Sequence, residues 1–165
     1  KKSFYSPTGS TDEEASAPEF EKARRDVSLL GILRDMPLCR WEMVMLPGYN
    51  QVLNVWQPMY IHLFESVIAQ KEPWYYVHLQ TPGGTKNIMN PDYALDSSDS
   101  KTPRVGVLMK IVEAQRGEDS RLMCVVQALA RVRVLQVTQK EPYTRATVQL
   151  LPDAEVIHAC YPIAE

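Results

Sequence analysis

Residues 105–137 read VGVLMKIVEAQRGEDSRLMCVVQALARVRVLQV, and the organisation of the chain follows from that stretch. Val105 to Ala114 is apolar and β-branched, the composition of a strand. Arg116-Gly117-Glu118-Asp119-Ser120 is a polar turn and Arg121 to Gln127 returns, so the pair predicts a hairpin. Arg131 to Val137 then alternates, with Val132, Val134 and Gln136 on one face and Arg131, Arg133, Leu135 and Val137 on the other. A period of two is the mark of a strand, because successive side chains leave opposite faces. After Pro142, Tyr143 to Leu151 reads as one more strand.

Working upstream, Cys39, Trp41, Met43 and Met45 alternate with Arg40, Glu42 and Val44, which predicts a strand, and Pro47-Gly48 turns the chain. Gln51 to Trp56 is a second strand. Pro58 opens a helix, where its missing N–H costs nothing, and Met59, Tyr60, Leu63, Phe64, Val67 and Ile68 form one apolar stripe. Pro73 closes that segment, and Trp74 to Gln80 is an aromatic strand. Residues 81–103 form a long loop carrying Pro82-Gly83-Gly84, Asn90-Pro91 and Asp96-Ser97-Ser98-Asp99-Ser100; loops of this length are often functional or mobile. At the other end, residues 1 to 17 are polar and acidic. Ser16 and Glu19 have capping-box spacing, and Phe20, Ala23, Val27, Leu30 and Leu33 predict a helix that Gly31 weakens at its end.

The expected fold is therefore mainly β with one or two helices (α+β): a curled antiparallel sheet or open barrel packed on a helix, with an extended N-terminal arm. The expected divisions are an arm and helix over 1–35, a β-rich domain over 36–152 and a tail over 153–165.

Composition narrows the function. The net charge of -2 and pI of about 6.0 argue against a nucleic-acid footprint, which needs clustered Lys and Arg. The one basic cluster, Arg121, Arg131, Arg133 and Arg145, alternates with apolar residues as the wet face of strands does. Three cysteines, Cys39, Cys124 and Cys160, have no short spacing, so the plain reading is buried free thiols in a reducing compartment. No apolar run reaches the eighteen or so residues of a membrane span. A chain opening on Lys1 fits a fragment, or a mature form that has lost a targeting segment.

The stretch Met43-Val44-Met45-Leu46-Pro47-Gly48, then Val52-Leu53-Asn54-Val55-Trp56-Gln57-Pro58-Met59-Tyr60, resembles the N-terminal domain of Lon-type proteases. Gln57 stands where that family usually has an acidic residue, and Met59 where it has Arg. Val105-Gly106-Val107-Leu108 with Ile111 is similar to the family's hydrophobic-Gly-Thr strand. Ala130-Arg131-Val132-Arg133-Val134 is similar to its next strand, with Ala128 or Ala130 near the family's Gly. Tyr143-Thr144-Arg145-Ala146-Thr147-Val148 is similar to its Tyr-x-x-Ala-x-Val strand. The resemblance covers roughly residues 36 to 152 and implies a PUA-like fold, a protein-binding role and no catalytic residue or cofactor.

No enzyme chemistry emerges beside it. Gly83-Gly84-Thr85-Lys86 lacks the spacing of a phosphate loop. His62, His78 and His158 are far apart, and a metal site would need them to converge with a thiol or carboxylate. The cluster Trp56, Tyr60, Trp74, Tyr75 and Tyr76 reads first as core, with alternate rings of 74–76 as a binding patch. Partner contact is expected at Tyr49, Asn50, Trp74 and Tyr76, at the acidic run Asp12, Glu13 and Glu14, and at Ser97 and Asp99 in the loop. The leading expectation is a non-catalytic accessory or adaptor subunit of a larger protein assembly. It spans no membrane, but a place at the periphery of a membrane complex, including a photosynthetic thylakoid one, fits. The competing expectation is the substrate-recognition domain of a full Lon-type protease. Plastid stroma or mitochondrial matrix is favoured over cytoplasm.

Overall fold

A computed structural model describes residues 31–153. The chain divides into one unit over residues 1–30 and another over residues 31–165. The helix expected over 16–33 therefore lies outside the described residues up to its last turn. There, Gly31 takes a left-handed conformation (φ 77°), and Ile32 and Leu33 already belong to a strand.

Among the described residues six strands and one α-helix follow, with two short 3-10 turns (Gly84–Asn87 and Pro91–Tyr93) in the long loop: β1 (Ile32–Trp41), β2 (Asn50–Val55), α1 (Pro58–Ile68), β3 (Trp74–Gln80), β4 (Val105–Arg116), β5 (Leu122–Gln139) and β6 (Arg145–Leu150). They form one sheet in the order β2-β5-β4-β3-β1-β6. The hairpin read from 105–137 is its longest pairing, running from Arg116↔Leu122 to Val105↔Arg133. β5 is long enough to serve three neighbours. Its first third holds β2 (Val55↔Leu122 to Asn50↔Gln127) and nearly its last half holds β6 (Val132↔Leu150 to Gln139↔Arg145). Because β6 also pairs with β1, the pairings run in a circuit, and the sheet is strongly curled. Register shifts at Leu108/Met109 and Ile111/Glu113 are the irregularities that let a long hairpin bend.

One pairing is parallel rather than antiparallel: β1 lies beside β3, Leu38↔Val77 to Trp41↔Gln80. Parallel neighbours need a crossover, which β2 and α1 supply here. The sheet is therefore mixed.

β1 also begins earlier and ends earlier than the alternation from Cys39 to Met45 suggests. Leu38 packs in one core cluster with Val77, Leu79, Val132, Val134 and Val148, while Cys39 packs in the other with Val126, Met109 and the helix. A strand covered on both faces loses its polar alternation. Beyond Trp41 the apparent alternation falls on a loop, where Met45 turns inward and Met43, Val44 and Leu46 stay exposed.

α1 buries Tyr60, Leu63, Phe64 and Val67. Burial of each large apolar side chain contributes about 1.5–3 kcal/mol. Phe64 meets Tyr76 edge to face at 4.9 Å. The Tyr60 hydroxyl accepts from the Arg40 N–H (3.0 Å) and donates to the Arg40 carbonyl, fixing the helix to the end of β1. The long loop is neither loose nor wholly exposed. Leu95 fills the second core cluster at 4% exposure, the Thr102 hydroxyl donates to the Tyr93 carbonyl (3.0 Å), and Lys101 pairs with Asp92 (2.6 Å).

Candidate protein-interaction surface

Between β1 and β2 the chain presents Met43, Val44, Leu46 and Tyr49, all exposed, with Val44 at 61%. Such a run costs solvation unless something covers it, and contiguous apolar surface marks interaction sites. The segment is nevertheless held at both ends. Nε2 of buried His78 donates to the Met43 carbonyl at 2.7 Å, since a carbonyl only accepts. The Gly48 N–H donates to the Ala128 carbonyl (2.9 Å), and the Ala128 N–H donates to the Tyr49 carbonyl (2.8 Å). Met45 anchors the middle in the core. Beneath it lies a hollow of about 140 Å³ lined by Val44, Leu46, His78, Val105, Gly106 and Arg131. Gly106 is needed there, because a Cβ at this position would stand 2.5 Å from the His78 carbonyl oxygen.

β2 continues this surface. Among the described residues it pairs only with β5, so its other edge is open. Leu53 and Val55 face the core while Gln51, Val52 and Asn54 are exposed. An open edge with a rigid apolar approach offers both backbone hydrogen bonds and side-chain contacts to an extended polypeptide.

The expected contact residues divide accordingly. Tyr49 and Asn50 lie on this surface, exposed, at the start of β2. Trp74 is half-buried against the core, and its indole N–H donates to the Gln70 carbonyl (2.9 Å), so it closes the helix end. Tyr76 is not a contact residue. It is fully buried, because the inward positions of β3 face α1, and its outward neighbour is Tyr75. In the loop, the Ser97 hydroxyl accepts from the Asp99 N–H (3.3 Å) and the Ser97 carbonyl accepts from Arg104 (3.1 Å). Asp99 itself is exposed. Asp12, Glu13 and Glu14 lie outside the described residues, as do His158 and Cys160. Sequence reading missed Val44 and Leu46 because their alternation with Met43 and Met45 imitates a strand.

Nucleophile and metal chemistry find no support among the described residues. Cys39 and Cys124 are buried free thiols. Burial pushes Cys39 far up and Cys124 up to about 11, so neither offers a thiolate near neutrality. Among the described residues no group of His, Cys, Asp and Glu converges on a point that would suit a metal ion. No helix among the described residues is long and apolar enough to cross a membrane.

Comparison with known proteins supplies a family and a fold. The family model described as the ATP-dependent protease La (LON) substrate-binding domain matches residues 35–160. The structure is similar to the crystal structure of a Lon N-terminal domain protein from Xanthomonas campestris: TM-score 0.50, 17% identity, covering 73% of this chain and 61% of that one. It is also similar to the N-terminal domain of a Mycobacterium avium complex Lon protease: TM-score 0.50, 15% identity, covering 73% and 56%. The match thus spans less than two thirds of either structure. At these identities the likeness concerns the fold. A search of curated protein sequences finds no match.

Proposed function

Because the chain belongs to the family of LON substrate-binding domains, we propose that it is a non-catalytic protein-binding module that receives partner polypeptides on the 43–49 segment and the open edge of β2. The observation that carries this reading is a run of exposed apolar side chains pinned in place by a buried histidine and a backbone ladder. Pre-organisation lowers the entropic cost of binding. The test is capture of an unfolded model polypeptide, such as β-casein, measured by fluorescence anisotropy. Val44→Asp with Leu46→Asp should leave thermal unfolding unchanged and lower affinity at least tenfold. Unchanged capture defeats the reading.

Within that role we favour an accessory or adaptor subunit of a larger assembly over the recognition domain of a complete Lon-type protease. The support is the exposed 43–49 segment and the open edge of β2, which suit assembly with other polypeptides. Native co-purification decides between them: a multi-protein complex supports the adaptor, and an ATPase on the same polypeptide supports the protease. Free buried thiols fit a reducing compartment such as plastid stroma or mitochondrial matrix, which cell fractionation tests.

A further inference from the structure

Arg40 is an anomaly. It sits near the end of β1 with only 4% of its surface exposed. One terminal nitrogen donates to the Tyr93 carbonyl (2.7 Å) and, weakly, to the Thr102 hydroxyl (3.4 Å). Its Nε has no hydrogen-bond partner. Among the described residues no carboxylate pairs with it; the nearby Asp96 is engaged by Lys140 at 2.7 Å. A buried guanidinium without an anion is costly, because buried charges are normally paired.

Arg40 also lines a hollow between the long loop and the β5–β6 turn, of about 200 Å³. Its apolar wall is formed by Ile88, Met89, Ala94, Leu95 and Val137, and the charged Asp96, Lys140 and Glu141 also line it. That is smaller than the roughly 300–1,000 Å³ of sites that take drug-sized ligands or cofactors. It is enough for one aliphatic side chain with a charged group beside it. An always-charged, planar, multi-donor group beside an apolar wall suits a carboxylate carried on an apolar stem.

We propose that this hollow is a recognition site for an aliphatic carboxylate, the chemistry of a peptide chain end with a C-terminal leucine or of a small branched free acid. It shares no lining residue with the 43–49 segment, so it stands or falls separately from the polypeptide-capture reading.

The test uses the full chain and fluorescein-labelled peptides ending in leucine, as free acid and as amide, with 4-methylpentanoate as competitor. The free acid should bind at least tenfold more tightly than the amide, the span expected of a hydrogen bond to a charged group. Arg40→Met should erase that difference. Met89, at 82% exposure, lies at the mouth, and Met89→Glu should weaken acid binding severalfold without affecting folding. Peptide binding assigns the site to chain ends, and displacement of 8-anilinonaphthalene-sulfonate by 4-methylpentanoate alone assigns it to small acids. Equal affinity for acid and amide with no effect of the small acid, or wild-type binding by both variants, overturns the proposal.

Discussion

Replacing Leu95 by alanine tests whether the 81–103 loop belongs to the core. Leu95 is 4% exposed and packs with Leu38, Val77, Leu79, Val132 and Val148 from four strands. The change removes three carbons. At about 0.8 kcal/mol per buried methylene, transfer alone costs about 2.4 kcal/mol, and an unfilled cavity raises this toward the 2.7–5 kcal/mol reached by buried leucines, so about 3 kcal/mol is expected. With a urea slope of about 1.5 kcal/mol/M, the midpoint should fall by about 2 M. Met89, in the same loop but largely exposed, supplies the control: Met89→Ala should move the midpoint by less than about 0.3 M. Equilibrium urea unfolding followed by circular dichroism reads both. A Leu95→Ala shift no larger than that of the control would refute the view that the loop is a structural plug.

Three further outcomes follow from particular atoms. Tyr76→Phe should leave stability unchanged or raise it by about 1 kcal/mol in thermal unfolding, because the buried hydroxyl has no partner and its loss removes a desolvation cost. His78 is held below its ordinary pKa near 6.5 by burial, partly opposed by the Met43 carbonyl. The unfolded chain therefore binds the proton first, so stability is full above about pH 6.5 and declines as pH falls toward the lowered folded value. Urea midpoints between pH 8 and pH 5 should show that decline, and His78→Gln should flatten it. Gly106→Ala should destabilise by several kcal/mol, since its Cβ meets the His78 carbonyl at 2.5 Å and backbone must shift; an unfolding temperature equal to wild type contradicts this.

Much of the fold was legible because its strands are covered unequally. β5 displays Val132 and Val134 inward and Arg131 and Arg133 outward, so its period survives in the sequence. The helix was legible from Pro58 and its stripe. β1 was displaced because Pro37 to Arg40 are buried in succession, a pattern that local periodicity does not distinguish from a turn or a helix end. The parallel pairing of β1 with β3 is a property of the crossover, which no single segment encodes. Tyr76 was misread for a related reason: a triplet of aromatics says that one face is apolar, but not which. The Arg40 hollow was invisible because its walls come from β1, the loop and the β5–β6 turn, far apart in sequence.

The double engagement of β6 has a consequence for biosynthesis. Ile32 meets Gln149, a partner more than a hundred positions later, so β1 lacks its outer neighbour until almost all of the described domain has emerged from the ribosome. At roughly 5–20 residues per second, a nascent chain spends seconds with the flanks of β1 and β5 unsealed. Such high contact order slows folding, and the interval is when a holdase chaperone would matter most to yield.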